Sequence, residues 1–398
     1  MRSGIPVLAV LIGAACQMSF AKDAARLELW AVDPLVKVFS DACPARGTRA
    51  EADAARGEDV TFQVVVRSSG AVTGLAVSVS PFTARRGKEF LHARAPRFVG
   101  YVPVDRPTQS PSKDQLRKPP ADYPDPLLET GVMDLEPNRA QPVWITLHVP
   151  EDAEQGRHEA EVTLRGTVNG RELAAEKRLS LRVYRARVEK TRLWVTDWFS
   201  MQSQHMEIHP EAETEEYYAL LERYARNMAE HRHNVAIISP LSLAEYSAGP
   251  DGKLVIDFAR FDRWVEIFKR AGVIGRIEGG HIGGRAGDWG SQFVVRIRQV
   301  KDGKVESASA DPTSPEAEAF YAQFFPALTA HLREKGWLDC YLQHLADEPI
   351  KSNIGTYRAM AALLRRHAPE LKIMEACHTK DLVGAMDVWV PQQIGRAS

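Results

Sequence analysis

The chain has 398 residues, enough for two or more domains with a sizeable core in each. Its 51 basic and 52 acidic residues leave a formal charge of -1, which argues against a polyanionic partner such as nucleic acid. Beyond the amino end no segment is apolar for long enough to span a bilayer.

At that amino end Arg2 precedes an apolar stretch, Ile5 to Ala15, followed by the small-x-small run Ser19-Phe20-Ala21. This pattern predicts a signal peptide over residues 1–21 and a secreted or periplasmic protein. Lipidation at Cys16 ranks second, because Gly13 stands where lipoprotein signals carry Leu. The remaining cysteines, Cys43, Cys340 and Cys377, are odd in number and match no zinc spacing. They are expected mostly as buried thiols, with one disulfide left open.

From Leu27 to Val188 the pattern is β-rich. Val60–Val66, Leu75–Val79, Val143–Val149, His158–Leu164 and Leu179–Val183 alternate or run apolar at strand length. Asn169-Gly170 is a hairpin signal. Regular short strands without helices predict an antiparallel β-sandwich over 22–190. The segment Pro103–Asp134 is rich in Pro, Asp and Lys. Two readings stand for it: disorder, or a loop packed on a neighbour through Tyr123, Leu127 and Leu128.

Near Thr191 strands and helices begin to alternate, which implies a parallel sheet. Strands are expected at Leu193–Phe199, Asn234–Pro240, Arg276–Ile282, Cys340–Asp347, Lys372–His378 and Asp387–Pro391. Helices are expected near 214–231, 258–271, 314–335, 353–367 and 381–386, with 301–313 a polar excursion. On the first helix Tyr218, Leu221, Tyr224, Ala225 and Met228 form one apolar face. The six β/α units predict a (β/α)8 TIM barrel over 191–398, short of two units or roughly 60 to 100 residues that would follow Ser398. A complete six-stranded open sheet is the alternative.

In a barrel the residues that close each strand share one mouth. They are Asp197 and Trp198 after the first strand, Ser239 and Pro240 after the second, and His281 and Arg285 after the third. Asp347 and Glu348 follow the fourth, His378 the fifth and Gln392 the sixth; His344 and Trp289 join this substrate-binding set. Carboxylates, imidazoles, amides and aromatics with no phosphate loop fit a neutral, polyhydroxylated ligand. The run Gly279-Gly-His-Ile-Gly-Gly-Arg-Ala-Gly-Asp-Trp289 reads either as a flexible surface loop or as a substrate lid.

The adjacent acids carry most of the information. Two neighbouring carboxyls cannot easily both ionise, so one is available as an acid and the other stays charged. The bland reading is a solvated pair or a helix cap. On a regular strand the two would face opposite ways, so the strand must end or bulge between them. No catalytic metal or other cofactor is expected. His205 and His209 are spaced by four without the Glu of a zinc-protease helix, and His231 and His233 sit at a helix end. A serine-hydrolase elbow is lacking as well.

His344-Leu-Ala-Asp-Glu-Pro349, behind a sandwich that carries Tyr123-Pro-Asp-Pro-Leu-Leu128, resembles glycoside hydrolase family 123 over nearly the whole mature chain. The resemblance implies an exo-acting β-N-acetylgalactosaminidase that retains configuration through the substrate's own acetamido group. It implies Glu348 as acid and base, and Asp347 as acceptor of the acetamido N–H. The partner would be a glycan or glycoconjugate. Two rivals stay open: a glycosidase for a 2-hydroxyl sugar, and a barrel that binds glycans without turnover.

Overall fold

The computed structural model describes residues 26–84, 90–111, 113–189, 193–201 and 208–391. The expected signal peptide, His205 and Gln392 lie outside these described residues. The chain divides into two compact units, Met1–Lys190 and Thr191–Ser398.

The first unit holds β1 (Leu27–Val32), β2 (Ala50–Arg56), β3 (Asp59–Ser68), β4 (Val72–Val79), β5 (Phe82–Ala84) and β6 (Phe90–Leu91). It continues with β7 (Arg97–Val104), β8 (Ala121–Leu127), β9 (Val132–Leu135), β10 (Gln141–His148), β11 (Gly156–Val168) and β12 (Arg171–Arg187). One sheet runs β1-β3-β10-β7-β8, and the other runs β2-β12-β11-β4-β9 with β5 beside β11. Alternation decides which side chains turn inward. Along β11, Ala160, Val162, Leu164 and Val168 are buried between exposed or half-buried neighbours. They share a core with Val64, Val143 and Ile145 of the opposite sheet, which makes the unit a sandwich. Asn169 and Gly170, both at positive φ, close the β11–β12 hairpin, as Asn-Gly predicts. The pairing of β12 with β2 is parallel and departs from the antiparallel expectation.

Much of the Pro-rich insert belongs to the sheets. It supplies β8 and β9, and Tyr123 packs edge-on against Phe39 at 5.3 Å. Pro124 and Pro126 sit in β8, an edge strand, where a missing N–H costs no ladder bond. The three described cysteines are free, and only Cys377 is fully buried.

The second unit contains α1 (Glu215–Glu230), β13 (Val235–Ile237), α2 (Pro240–Leu243), β14 (Glu245–Ala248), β15 (Leu254–Asp257), α3 (Ala259–Ala271) and β16 (Arg276–His281). Next come β17 (Gly283–Arg285), β18 (Phe293–Lys301), β19 (Lys304–Ala310) and α4 (Pro315–Glu334). The unit finishes with β20 (Tyr341–His344), α5 (Ile354–His367), β21 (Lys372–Cys377) and β22 (Val388–Pro391). Helix starts follow capping chemistry: Thr214 accepts from the Tyr217 N–H, and Ser314 accepts from the Ala317 N–H with Pro315 next in line. His231 ends α1 by bonding the Asn227 carbonyl at 2.8 Å, a capping role.

The main sheet is five-stranded and parallel, in the order β13-β16-β20-β21-β22. Spatial order follows chain order, so the sheet has no reversal of the kind a doubly wound fold needs. The expected first strand is corrected. Leu193–Phe199 is assigned to no ladder; Val195 instead bonds Asn234 through main chain at 3.2 Å and through the Asn234 amide oxygen at 2.8 Å. An asparagine side chain takes the place of ladder partners there. The turn region 381–386 is likewise not a helix. The polar excursion is also larger than expected: β17, β18 and β19 form a separate antiparallel sheet inserted after β16. The glycine run is therefore the end of β16, then β17 and a turn, and not a free loop.

Close packing fixes one glycine near the strand ends. A Cβ built on Gly279 would run into the buried Tyr341 hydroxyl, itself bonded to Gln343 at 2.7 Å. Gly279→Ala should lower stability by about 1–3 kcal/mol through overpacking. A thermal melt reads this, and an unchanged midpoint would contradict the geometry.

Candidate active site

Three parallel strands end side by side and carry the polar cluster. β16 ends at His281, and β20 ends at His344, its partner in the ladder. From the neighbouring β21 comes Glu375, fully buried. Glu375 Oε1 bonds His281 Nε2 at 3.2 Å and His344 Nδ1 at 3.0 Å. Its Oε2 accepts the backbone N–H groups of Leu345 at 3.1 Å and Ala346 at 3.2 Å. His344 uses its other nitrogen on buried Glu278, 3.3 Å away.

Two carboxylates and two imidazoles thus share one dry region, where lone charges would be costly. Burial works against the charge on Glu375, yet the bonds from His281 and His344 hold its carboxyl below the ordinary range. Burial also works against a charged His344. The bonds to Glu278 and Glu375 outweigh it and push the imidazole up to about 9. Ligand atoms of His281, His344 and Glu375 lie within 4.8 Å of one another, a spacing a cation could use. Hydrogen bonds already match those atoms, so we read the trio as a network.

Beyond β20 the chain carries Asp347 and Glu348. The strand ends at His344, and Glu348 adopts a left-handed φ of 44°, so strand alternation does not govern the pair. Burial raises the carboxyl of half-buried Asp347 above its usual range, and Glu348 and Glu375 push the same way, while His281 and Arg285 oppose. Glu348 Oε1 meets His378 Nε2 at 3.1 Å. Arg285 donates to the Glu348 carbonyl at 2.8 Å and to the Trp289 carbonyl at 3.0 Å, and its guanidinium lies 3.7 Å above the Trp289 ring.

Trp198 presents its ring edge-to-face to His281 at 5.1 Å and to His344 at 5.8 Å, with about half of its surface still exposed. The structure therefore gathers Trp198, His281, Arg285, Trp289, Asp347, Glu348 and His378 around linked contacts. Asp197 is exposed beside Trp198. His344 is corrected: at 1 % exposure, with both ring nitrogens bonded to carboxylates, it has none left for a sugar. Sequence reasoning missed Glu278 and Glu375. Each is a single acid inside an apolar strand, Arg276-Ile-Glu-Gly and Ile373-Met-Glu-Ala, and that isolation was the available signal.

Residues 184–393 match the glycoside hydrolase 123 catalytic domain, and residues 41–166 match the glycoside hydrolase 123 N-terminal domain. The chain belongs to glycoside hydrolase family 123. Its chemistry is glycoside hydrolysis, and its substrate is a glycan. Among solved structures, a family 123 glycoside hydrolase from Clostridium perfringens, described for glycolipid glycan hydrolysis, aligns with TM-score 0.70 and 16% identity. That alignment covers 92% of this chain and 67% of the clostridial one, and at such identity it speaks for the fold alone. A PapD-like domain of human CEP192 (TM-score 0.20, 13% identity, 40% of this chain and 94% of that one) carries no argument. The same holds for the Bacillus cereus major pilin subunit BcpA (TM-score 0.23, 8% identity, 40% and 41%). No curated protein matches the chain. No helix among the described residues is long and apolar enough to cross a membrane.

The buried ion pairs give this hydrolase a pH-dependent stability. His344 is raised from 6.5 to about 9, so its contribution is complete below about pH 6.5 and is lost as pH rises through about 9. His344→Gln should therefore cost more melting temperature at pH 6.5 than at pH 9.5. Equal losses at both would show that the pairing is absent.

Proposed function

We propose that the protein is a retaining exo-β-N-acetylgalactosaminidase acting on glycans or glycoconjugates by substrate-assisted catalysis. The observation that carries this reading is the Asp347-Glu348 pair just beyond a parallel strand, with Arg285 on the Glu348 carbonyl, His378 on the Glu348 carboxyl and Trp289 under the guanidinium. In this reading the sandwich domain is 22–190. The five parallel strands in chain order belong to a (β/α)8 barrel over 191–398, whose strand ends form the sugar site. The signal-like amino end supports a secreted or periplasmic enzyme.

Glu348 protonates the glycosidic oxygen as the bond to the anomeric carbon breaks. The acetamido carbonyl oxygen forms the new bond to that carbon, and Asp347 accepts the acetamido N–H, steadying the oxazolinium. Glu348 then takes a proton from water as it opens the ring, so configuration is retained with no enzyme nucleophile. In this reading Trp198 and Trp289 offer faces for the sugar, and His378, Arg285 and Asp197 offer polar groups to its hydroxyls.

Charge assignment needs one further step. In the free site the burial-raised carboxyl is Asp347, whereas the chemistry wants Asp347 charged and Glu348 protonated. A sugar seated over Glu348 would desolvate it and favour its acid form, while an amide N–H bonded to Asp347 favours the carboxylate.

Glu348→Gln and Asp347→Asn should each reduce kcat by about a hundred- to ten-thousand-fold on a nitrophenyl N-acetyl-β-galactosaminide. The matching 2-hydroxyl galactoside should be a far poorer substrate for the wild type. Equal turnover of the two glycosides would remove substrate assistance. Binding without turnover, unchanged in Glu348→Gln, would favour a glycan-binding role.

A further inference from the structure

Asp347 and Glu348 follow β20, and the neighbouring parallel strand β21 holds the same segment at two points. From inside the strand, Glu375 Oε2 accepts the N–H groups of Leu345 at 3.1 Å and Ala346 at 3.2 Å. One residue beyond its end, His378 brings Nε2 to 3.1 Å from Oε1 of Glu348. A third hold comes from the inserted sheet, where Arg285 of β17 donates to the Glu348 carbonyl at 2.8 Å. Main chain and side chain of Glu348 are thus fixed by different elements, at a residue whose left-handed φ of 44° takes it out of the strand.

The contact between imidazole and carboxyl is poorly placed to serve the fold. The His378 and Glu348 side chains are 28% and 35% exposed, and an ion pair so open to water contributes little to stability. What it fixes is the choice of carboxyl oxygen. Among the described residues no other side chain bonds the Glu348 carboxyl, so Oε1 is engaged and Oε2 is left to a ligand.

We propose that His378 is a positioning residue for the general acid: its Nε2–H holds Oε1 of Glu348, and Oε2 exchanges the proton with the glycosidic oxygen and with water. The proposal rests on the role of Glu348 as acid and base given above. With the carboxyl ionised, Oε1 accepts from Nε2 as a carboxylate oxygen. With Oε2 protonated, Oε1 is the carbonyl oxygen and still accepts. The bond therefore survives both steps of the reaction. In the first, the Oε2–H bond breaks and its proton joins the glycosidic oxygen as that oxygen leaves the anomeric carbon. In the second, Oε2 regains a proton from the attacking water. A carboxyl held in one plane throughout needs no rearrangement between the two.

The test measures wild type, His378→Met, His378→Gln, Glu348→Gln and the His378→Met, Glu348→Gln double variant on phenyl and dinitrophenyl N-acetyl-β-galactosaminides. Phenol leaves poorly and needs the acid, whereas dinitrophenol leaves with little protonation. In His378→Met, kcat and kcat/KM on the phenyl glycoside should fall together by about ten- to a hundredfold, with KM nearly unchanged. On the dinitrophenyl glycoside kcat/KM should fall by less than about threefold. Glu348→Gln should show the same contrast on a larger scale, and the double variant should be no slower than Glu348→Gln. His378→Gln, whose amide N–H can stand where Nε2 stands, should recover most of the loss. Melting temperatures of the His378 variants should stay close to wild type. If His378→Met does not fold, His378→Asn, too short to reach Oε1, takes its place.

Equal losses on the two leaving groups overturn the role of His378. A raised KM with kcat kept overturns it too, because His378 would then be a contact for the sugar. So does a His378→Gln no faster than His378→Met, or a double variant slower than Glu348→Gln. A Glu348→Gln without leaving-group contrast removes Glu348 as the acid, and with it both the proposal and the parent reading. Equal wild-type rates on acetamido and 2-hydroxyl phenyl galactosides overturn substrate assistance alone, since the leaving-group contrast does not involve the acetamido group.

Discussion

The buried carboxylate of Glu375 is the contact on which the rest of the site depends. It is one side chain on β21, yet it ties the ends of β16 and β20 to its own strand. It also anchors the backbone that runs from β20 towards Asp347. A carboxylate this dry survives only because each oxygen has charged or polar partners in fixed places. Removing the charge would leave the imidazoles without an anchor and the Leu345–Ala346 amides with a weaker acceptor. Rigid support of this kind steadies the segment beyond β20 that carries Asp347 and Glu348.

The parallel sheet explains why the partners meet at all. Strand order follows chain order, so consecutive units deliver their terminal residues to neighbouring positions. The insert of β17, β18 and β19 uses the same end of the sheet. It contributes Arg285 and Trp289 beside Glu348, and so brings a cation and an aromatic face to the acids from outside the main sheet. Strain is also placed there: Glu348 is one of six non-glycine residues with a left-handed backbone among the described residues, and it stands next to a proline that restricts it further.

Most of the fold was legible because its signals are local. Strand alternation in the sandwich, the Asn169-Gly170 hairpin and the helix caps at Thr214 and Ser314 all act within a few residues. Where the reading failed, distant contacts decided the outcome. Leu193–Phe199 has strand-like composition, but Asn234 meets it with a side-chain amide instead of a ladder. The insert after β16 hid behind glycines, since a glycine run looks like a loop until another strand pairs with it.

The sequence by itself determined the two-part organisation, the alternation of helices with strands beyond Thr191 and the adjacency of Asp347 and Glu348, because periodicity and adjacency are written along the chain. Only the tertiary structure decided that His344 faces two carboxylates rather than a sugar, and that Glu278 and Glu375 underlie the site. It also decided which of the two acids burial disfavours as an ion. Those properties depend on which groups from separate strands come within about 3 Å of each other and lose water together, and no local pattern encodes that.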